Sequence, residues 1–410
     1  MPISIDTRTR SDGEVERLDL AGYCEDVLPT VLERTGELAG RGLTHLGLRP
    51  MALEVAGTAY TLVEEGGRLA VRPGVAPDAF VVELDGEQFS DLVQDLVSAT
   101  GFLAAGSVTV RGGSILDVVR WEPVLRAAVD GRPVHEPGMV TMVDRDGGPL
   151  DLSRSFTPED DDQEVAHFLA EAGFLHLRGW LDPADMATIA ADMDRALPTY
   201  RPGDGRSWWA TTADGTERCV RMQHFLEHSE TTGRVLGAPA FARLAGLTTD
   251  GHALGPLRGN VIEALVKPVG VVKGISDVPW HKDCSLGRHS YSCSGMIVGV
   301  SVTGSDADTG QLRVVAGSHR ANVASSLTSG LDLPEVALPT SPGDLTVHLS
   351  CTLHMATAPT TGERKVMYTG LSLPARGPAP RNRAQLSAIR ENAHRVVSQA
   401  PGHRAPAAGA

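Results

Sequence analysis

The sequence predicts an α+β chain of two units, a smaller α/β unit followed by a larger, mainly β one. Three observations predict it. At 410 residues the chain exceeds one typical domain. Pro133, Pro137, Gly138, Gly147, Gly148 and Pro149 interrupt any regular period between residues 133 and 156. The patterns on the two sides differ, with strand and helix periods alternating before that stretch and extended runs carrying the motifs after it. The expected boundaries are 1–135 for the first unit, 136–155 for a linker, 156–385 for the second unit and 386–410 for a disordered tail. Hydrophobic content of 41% against 21% charged is enough to build a sizeable core.

In the first unit, Leu53 and Val55 alternate with Leu69 and Val71 about Gly66-Gly67, which predicts an antiparallel hairpin. Phe80-Val81-Val82-Glu83-Leu84 reads as a further strand. Phe89, Leu92, Val93, Leu96 and Val97 then recur at helical spacing. Gly106 to Gly113 follows as strand and turn. After the linker, Thr157-Pro158-Glu159-Asp160 reads as an N-cap with proline in the first turn and acids that favour the helix dipole. Gly173 ends that helix, Phe174-Leu175-His176-Leu177 is a strand, and Asp182-Pro183 opens another helix.

Charge and cysteine usage exclude whole classes of function. Lys+Arg 37 against Asp+Glu 51 gives a net charge of −14, which disfavours a nucleic-acid backbone or an anionic membrane as partner. The five cysteines, Cys24, Cys219, Cys284, Cys293 and Cys351, have neither zinc nor redox spacing and are expected to be reduced thiols. The first residues carry no basic-plus-apolar signal, and no run approaches the ~18 apolar residues of a membrane span. A cytoplasmic location is expected; nothing in the sequence fixes an oligomeric state.

Chemistry concentrates in His281-Lys282-Asp283, His354 and Arg364. Non-haem Fe(II) oxygenases hold their metal with two histidines and a carboxylate on one face, leaving the other positions open for co-substrate and O2. Residues two apart on a strand share a side, so His281 and Asp283 can both aim inward while Lys282 faces away. His354 ends a segment that begins at the Gly343-Asp344 turn, and Arg364 lies on the next strand, where a guanidinium can grip a carboxylate in a fork. An isolated H-x-D pair is common by chance; the ordered set is not.

Three segments carry a family resemblance: Val278-Pro279-Trp280-His281-Lys282-Asp283, Thr309-Gly310-Gln311-Leu312 through Gly317-Ser318-His319, and Gly343-Asp344 through His354. In that order they resemble the phytanoyl-CoA dioxygenase family, over roughly residues 156 to 373. The resemblance implies a double-stranded β-helix (jelly roll), Fe(II), and 2-oxoglutarate as co-substrate, with ascorbate helpful in vitro. It implies His281, Asp283 and His354 as iron ligands and Arg364 as the base for the distal carboxylate of 2-oxoglutarate. Lys267 resembles a lysine that some members use as a further co-substrate contact, although a solvated strand-end lysine is an equal reading. The family's small residues after the distal histidine are replaced by Met355-Ala356-Thr357, with Thr357 expected to supply the hydroxyl. Arg364 stands one position closer to His354 than is usual, and Lys365 occupies the common offset; the planar fork favours Arg364. His319 is expected to be a structural turn residue, His348 to pack inside the barrel, and Cys284 and Cys351 to be bystanders. Residues 15 to 130 resemble, more diffusely, the sterol carrier protein fold, an α/β sheet that can enclose an apolar groove.

The activity implied is oxidative decarboxylation of 2-oxoglutarate by O2 coupled to hydroxylation of a small molecule, a product of specialised metabolism ahead of an acyl thioester. Halogenation is disfavoured because Asp283 fills the position a halide would need. Trp208, Trp209, Arg221, Gln223 and His224 are placed to cover the mouth of the site, with Lys273 and Arg288 flanking the metal motif; packing explains the tryptophans equally well. Two other readings stay open: a lipid- or acyl-binding protein with a degenerate oxygenase unit, and a zinc hydrolase using the same two histidines and aspartate.

Overall fold

The computed structural model describes residues 2–8, 10–11, 13–14, 16–274, 278–286, 294–326 and 331–379. The tail expected at 386–410 lies outside the described residues.

The first unit begins with helix α1 (Leu20–Gly22), which continues through a π-helical turn into α2 (Leu28–His45). Leu28, Leu32, Gly36, Ala39 and Leu43 form the buried stripe of α2. The sheet is built from β1 (Met51–Val55), β2 (Thr58–Glu65), β3 (Arg68–Pro73), β4 (Phe80–Leu84) and β5 (Thr109–Arg111), in the order β3-β2-β1-β4-β5. The Gly66-Gly67 hairpin joins β2 to β3, so the strand carrying Leu53 and Val55 is not the partner of the strand carrying Leu69 and Val71. Strand β2 intervenes, entered by a two-residue turn in which Ala56 and Gly57 both have positive φ, 49° and 82°. Alanine there gives no turn signal, and this concealed the extra strand.

Helix α3 (Gly86–Val93) starts with an Asp85/Gln88 capping box and stops before the expected Leu96 and Val97, because Asp95 turns the chain at φ 61°. Both residues are nonetheless buried. A second short helix, α4 (Ala99–Ala105), and a long one, α5 (Ile115–Asp130), complete the unit. The core of this unit is a separate cluster from that of the second.

No helix or strand lies between Asp130 and Asp162 among the described residues. Helix α6 (Asp162–Ala172) begins later than Thr157-Pro158 suggests: Thr157 donates to Asp160 in a preceding turn, and Asp161 is the cap. The acidic run offered two caps, and the later one is used. Gly173 closes α6 at φ 80°, β6 (Phe174–Leu177) follows, and Asp182 caps α7 (Pro183–Ala196), as the sequence predicts.

The remaining elements are β7 (Ser207–Thr212), β8 (Glu217–Met222), α8 (Glu230–Leu236), α9 (Pro239–Ala245), β9 (Ala253–Leu254), β10 (Ile262–Lys267), β11 (Val271–Lys273), β12 (Val278–His281), β13 (Met296–Ser301), β14 (Leu312–Val315), β15 (Glu335–Leu338), β16 (Leu345–Leu349), β17 (His354–Ala356) and β18 (Arg364–Ser372). A large antiparallel sheet runs β11-β7-β8-β10-β18-β13-β16-β6, with β9 on β18; a small one runs β12-β17-β14-β15. Together they form the double-stranded β-helix, sharing one core of Val298, Val300, Val347 and Met367 with Leu312 and Val314. No described helix is long and apolar enough to cross a membrane.

Candidate metal centre

The register of the small sheet brings the two histidines together. His281 ends β12 directly opposite His354 at the start of β17, and their ring centroids are 4.1 Å apart. Asp283 does not continue the strand. It opens a 3-10 turn over Asp283–Ser285, while Lys282 keeps extended backbone and turns its side chain into the protein, its Nζ donating to the Ser318 carbonyl at 3.3 Å. His281 and Asp283 thus share a face as expected, through a strand end and a turn.

Each of the two imidazoles has its tautomer set by the backbone. His281 Nδ1 is 2.7 Å from the Pro279 carbonyl and His354 Nδ1 is 2.9 Å from that of Thr352. A carbonyl only accepts, so both Nδ1 atoms carry the proton and both Nε2 atoms present lone pairs. Those lone pairs face the Asp283 carboxylate, Nε2 of His281 at 3.4 Å from Oδ1 and Nε2 of His354 at 3.7 Å from Oδ2. One ligand atom from each of the three lies within 4.8 Å of the others. Burial, then the neighbouring His348 and His281 imidazoles, push His354 well below its usual range, keeping it a neutral base. Burial works to raise the Asp283 carboxyl, but the surrounding imidazoles of His354, His281 and His348 hold it well below the usual carboxylate range. Three electron-pair donors converging without protons between them fit a divalent cation.

A fourth group sits at this centre. His348, on β16 and 1% exposed, places Nε2 3.2 Å from Asp283 Oδ2, with its ring 4.0 Å from His354. The sequence reading put it inside the barrel but gave it no part in the site. Its Nδ1 is buried without a hydrogen-bond partner among the described residues. A carboxylate only accepts, so Nε2 of His348 is the protonated atom, opposite to the two ligands.

The centre opens into a cavity of about 430 Å3, in the range of small-molecule sites. From the large sheet, Glu263, Leu265 and Lys267 on β10, Ile297 on β13 and Tyr368 and Gly370 on β18 line it; from the small sheet come Leu312 and Ala356. Lys267 and Arg364 are direct partners across β10 and β18, and are 2% and 3% exposed. Arg364 shares a face of β18 with Tyr368 and Gly370, which line the cavity, but is not itself among the lining residues. Its guanidinium donates to the Gly310 carbonyl, and its Nε is buried without a partner among the described residues. Lys365 points the other way, onto α7, with Nζ 2.6 Å from Asp194. The strand register therefore puts the guanidinium and the ammonium on opposite faces of β18.

Other sequence candidates fall in several places. Arg221 lines the cavity, its guanidinium 4.3 Å over the Trp208 ring and its Nε 3.2 Å from Glu263. Gln223 donates from Nε2 to Glu263 at 3.1 Å, and Asn260 donates to it from Nδ2 at 2.9 Å. Gln223 does not line the cavity, and neither do three further candidates. Trp209 donates to Ser207 and packs on the β core, Lys273 is exposed on the edge strand β11, and the Thr357 hydroxyl donates to the Gln311 carbonyl. Arg288 lies outside the described residues. His319 is the turn residue expected, with Nε2 on the Ala170 carbonyl at 2.9 Å. Cys284 and Cys351 are buried against each other. The sequence reading missed Glu263 and Tyr368. The only signal for them was the two-residue alternation with Lys267 and with Arg364.

Residues 169–367 match the family model described as phytanoyl-CoA dioxygenase (PhyH). Among curated proteins no match was found. Solved structures give distant likenesses, all under 25% identical. AviO1 from Streptomyces viridochromogenes Tue57 is 22% identical, covering 52% of this chain and 95% of that one, TM-score 0.39. The epimerase SnoN, in complex with Fe3+, alpha ketoglutarate and nogalamycin RO, is 18% identical, covering 61% and 91%, TM-score 0.42. EvdO2 from Micromonospora carbonacea var. aurantiaca, complexed with 2-oxoglutarate, is 19% identical, covering 56% and 98%, TM-score 0.37. The three sequence segments, most of the β-helix and the His-Asp-His cluster all fall within or beside the span that matches the phytanoyl-CoA dioxygenase family model.

Proposed function

We propose that the chain is an Fe(II)- and 2-oxoglutarate-dependent oxygenase that oxidises a C–H bond of a small molecule, with hydroxylation the default outcome. The observation that carries this reading is the pairing of two features in one cavity. Two imidazoles fixed in the metal-binding tautomer converge on a carboxylate, and a buried lysine and arginine sit side by side on the facing sheet. His281, Asp283 and His354 would hold the metal, Arg364 with Lys267 the distal carboxylate of 2-oxoglutarate. When bound, metal and co-substrate supply O2 activation, with 2-oxoglutarate leaving as succinate and CO2.

This chain's own residues do the rest. Leu265, Ile297, Leu312 and Ala356 exclude water around the centre, while Arg221, held by Trp208 and Glu263, offers a polar anchor at the cavity wall. The two units are read as separate domains, 1–135 and 156–385, joined by 136–155, with the first a sterol-carrier-like scaffold. A zinc hydrolase would use the same three ligands but gives no role to two adjacent buried cations. The test is O2-dependent formation of succinate from 2-oxoglutarate with Fe(II) and ascorbate. Succinate formed slowly without substrate supports the reading; none with any substrate, alongside hydrolysis in the Zn(II) form, overturns it.

A further inference from the structure

The turn that carries Asp283 is not held by the β core alone. Its carbonyl end reaches the first unit: Ser285, fully buried, accepts a hydrogen bond from Ser98 Oγ at 2.8 Å. Ser98 is itself the N-cap of α4, accepting from Gly101 N at 2.9 Å, so its hydroxyl joins helix end and turn in one line. Two residues on, Thr100 Oγ1 lies 2.5 Å from Ser325 Oγ, again buried. The Ser325 carbonyl accepts the backbone N–H of Lys282, the residue between the two proposed ligands, at 3.0 Å. Gly101 packs so closely that a Cβ there would stand 3.2 Å from the Ser285 carbonyl. On the opposite side the β core contributes, through Cys284 N to the Ser350 carbonyl at 3.1 Å.

We propose that the first unit has a positioning role in the metal centre, with Ser98 and Thr100 at the start of α4 bracing the Lys282–Ser285 backbone and so fixing Asp283 relative to His281. The physical reason is that Asp283 leaves its strand. His281 and His354 are tied by a β ladder, whereas the 3-10 turn has its own weak bonds and a single backbone bond from Cys284 to the β core. A ligand on such a turn needs outside support to stay within the fraction of an ångström that a metal centre requires. The brace supplies that support at both ends of the turn. These bonds fall on Lys282 and Ser285, the residues on either side of the Asp283 turn, whereas Asn322, whose Nδ2 donates to the Pro123 and Arg132 carbonyls, joins the same units away from it.

This inference rests on the metal reading above, and its test separates the two. Full-length protein is titrated with Co(II), following its ligand-field spectrum and its affinity by competition with a chelator. Ser98→Ala and Thr100→Val are each expected to weaken Co(II) binding about tenfold, the lower end of the effect of losing a group that orients a metal ligand. The intensity of the spectrum should change, and backbone amides of the turn should exchange faster. Thr100→Ser, which keeps the hydroxyl, should restore wild-type binding, and Asn322→Ala should lower thermal stability while leaving the Co(II) spectrum unchanged. If Ser98→Ala and Thr100→Val behave like Asn322→Ala, the brace is overturned and the metal reading stands. If wild-type protein takes up no divalent metal, both fall.

Discussion

At His281 and His354 the proton sits on Nδ1, engaged by a backbone carbonyl, whereas at His348 it sits on Nε2 and points at Asp283. Three imidazoles within one cluster thus divide into two proposed metal ligands and one donor. His348→Leu should leave the fold intact but weaken Fe(II) binding roughly 10- to 100-fold, as loss of a ligand's hydrogen-bond partner does; His348→Gln should recover part of it. Equal metal affinity in wild type and His348→Leu would show that Asp283 needs no such donor. The co-substrate clamp makes a second contrast. Loss of Arg364, a buried charged partner, should cost on the order of 2–5 kcal/mol, so Arg364→Ala should raise the 2-oxoglutarate requirement roughly 30-fold or more. Lys365→Ala should not, because its ammonium lies on Asp194 outside the cavity. Steady-state titration of the co-substrate distinguishes them, and the reverse order would refute the register described here.

At the scale of elements, two motifs that resemble catalytic signatures act by shaping the backbone. Gly310 has φ 85°, and a Cβ there would lie 2.6 Å from the Thr357 carbonyl. Gly310→Ala combines a left-handed conformation with overpacking, together roughly 2–4 kcal/mol of lost stability, and displaces the carbonyl that Arg364 contacts. Chemical denaturation should show the loss, with a raised 2-oxoglutarate requirement in the folded fraction. His319 joins the turn after β14 to the end of α6, its ring packed under Gly173. Burial pushes its imidazole down from 6.5 to about 4. A depressed folded value means that stability is complete above pH 6.5 and falls as pH drops toward 4, where the unfolded chain takes up a proton that the folded chain refuses. The loss amounts to roughly 3 kcal/mol across that window, about 2 of it by pH 5. Urea midpoints between pH 7 and 5 should show it in wild type and much less in His319→Asn; an unchanged slope would place the titration elsewhere.

The whole molecule couples a legible site to a less legible frame. The proposed ligands His281 and Asp283 stand out in the sequence because they lie two residues apart in a motif, and His354 and Arg364 because they follow in order. His348 could not: every residue of Leu345-Thr346-Val347-His348-Leu349 is buried, so a strand covered on both faces gives no alternation to say which side meets the cavity. Glu263 and Asn260 gain meaning only when β10 lies beside β8, a pairing that sequence distance hides. In the first unit β2 was hidden by the Ala56-Gly57 turn, and α5 by a nearly uniform apolar surface that keeps Val118, Trp121, Glu122, Pro123 and Arg126 all buried. The net charge of −14 was legible, but not the pairing of two buried cations, Lys267 and Arg364, across β10 and β18.

The most direct test of the account is an anaerobic titration of the purified chain with Fe(II) and then 2-oxoglutarate, followed by visible absorption. The account predicts a metal-to-ligand charge-transfer band that saturates with one 2-oxoglutarate per chain, is absent in His354→Ala, and needs far more co-substrate in Arg364→Ala. No band in the wild type, or a band that persists without His354, would contradict it.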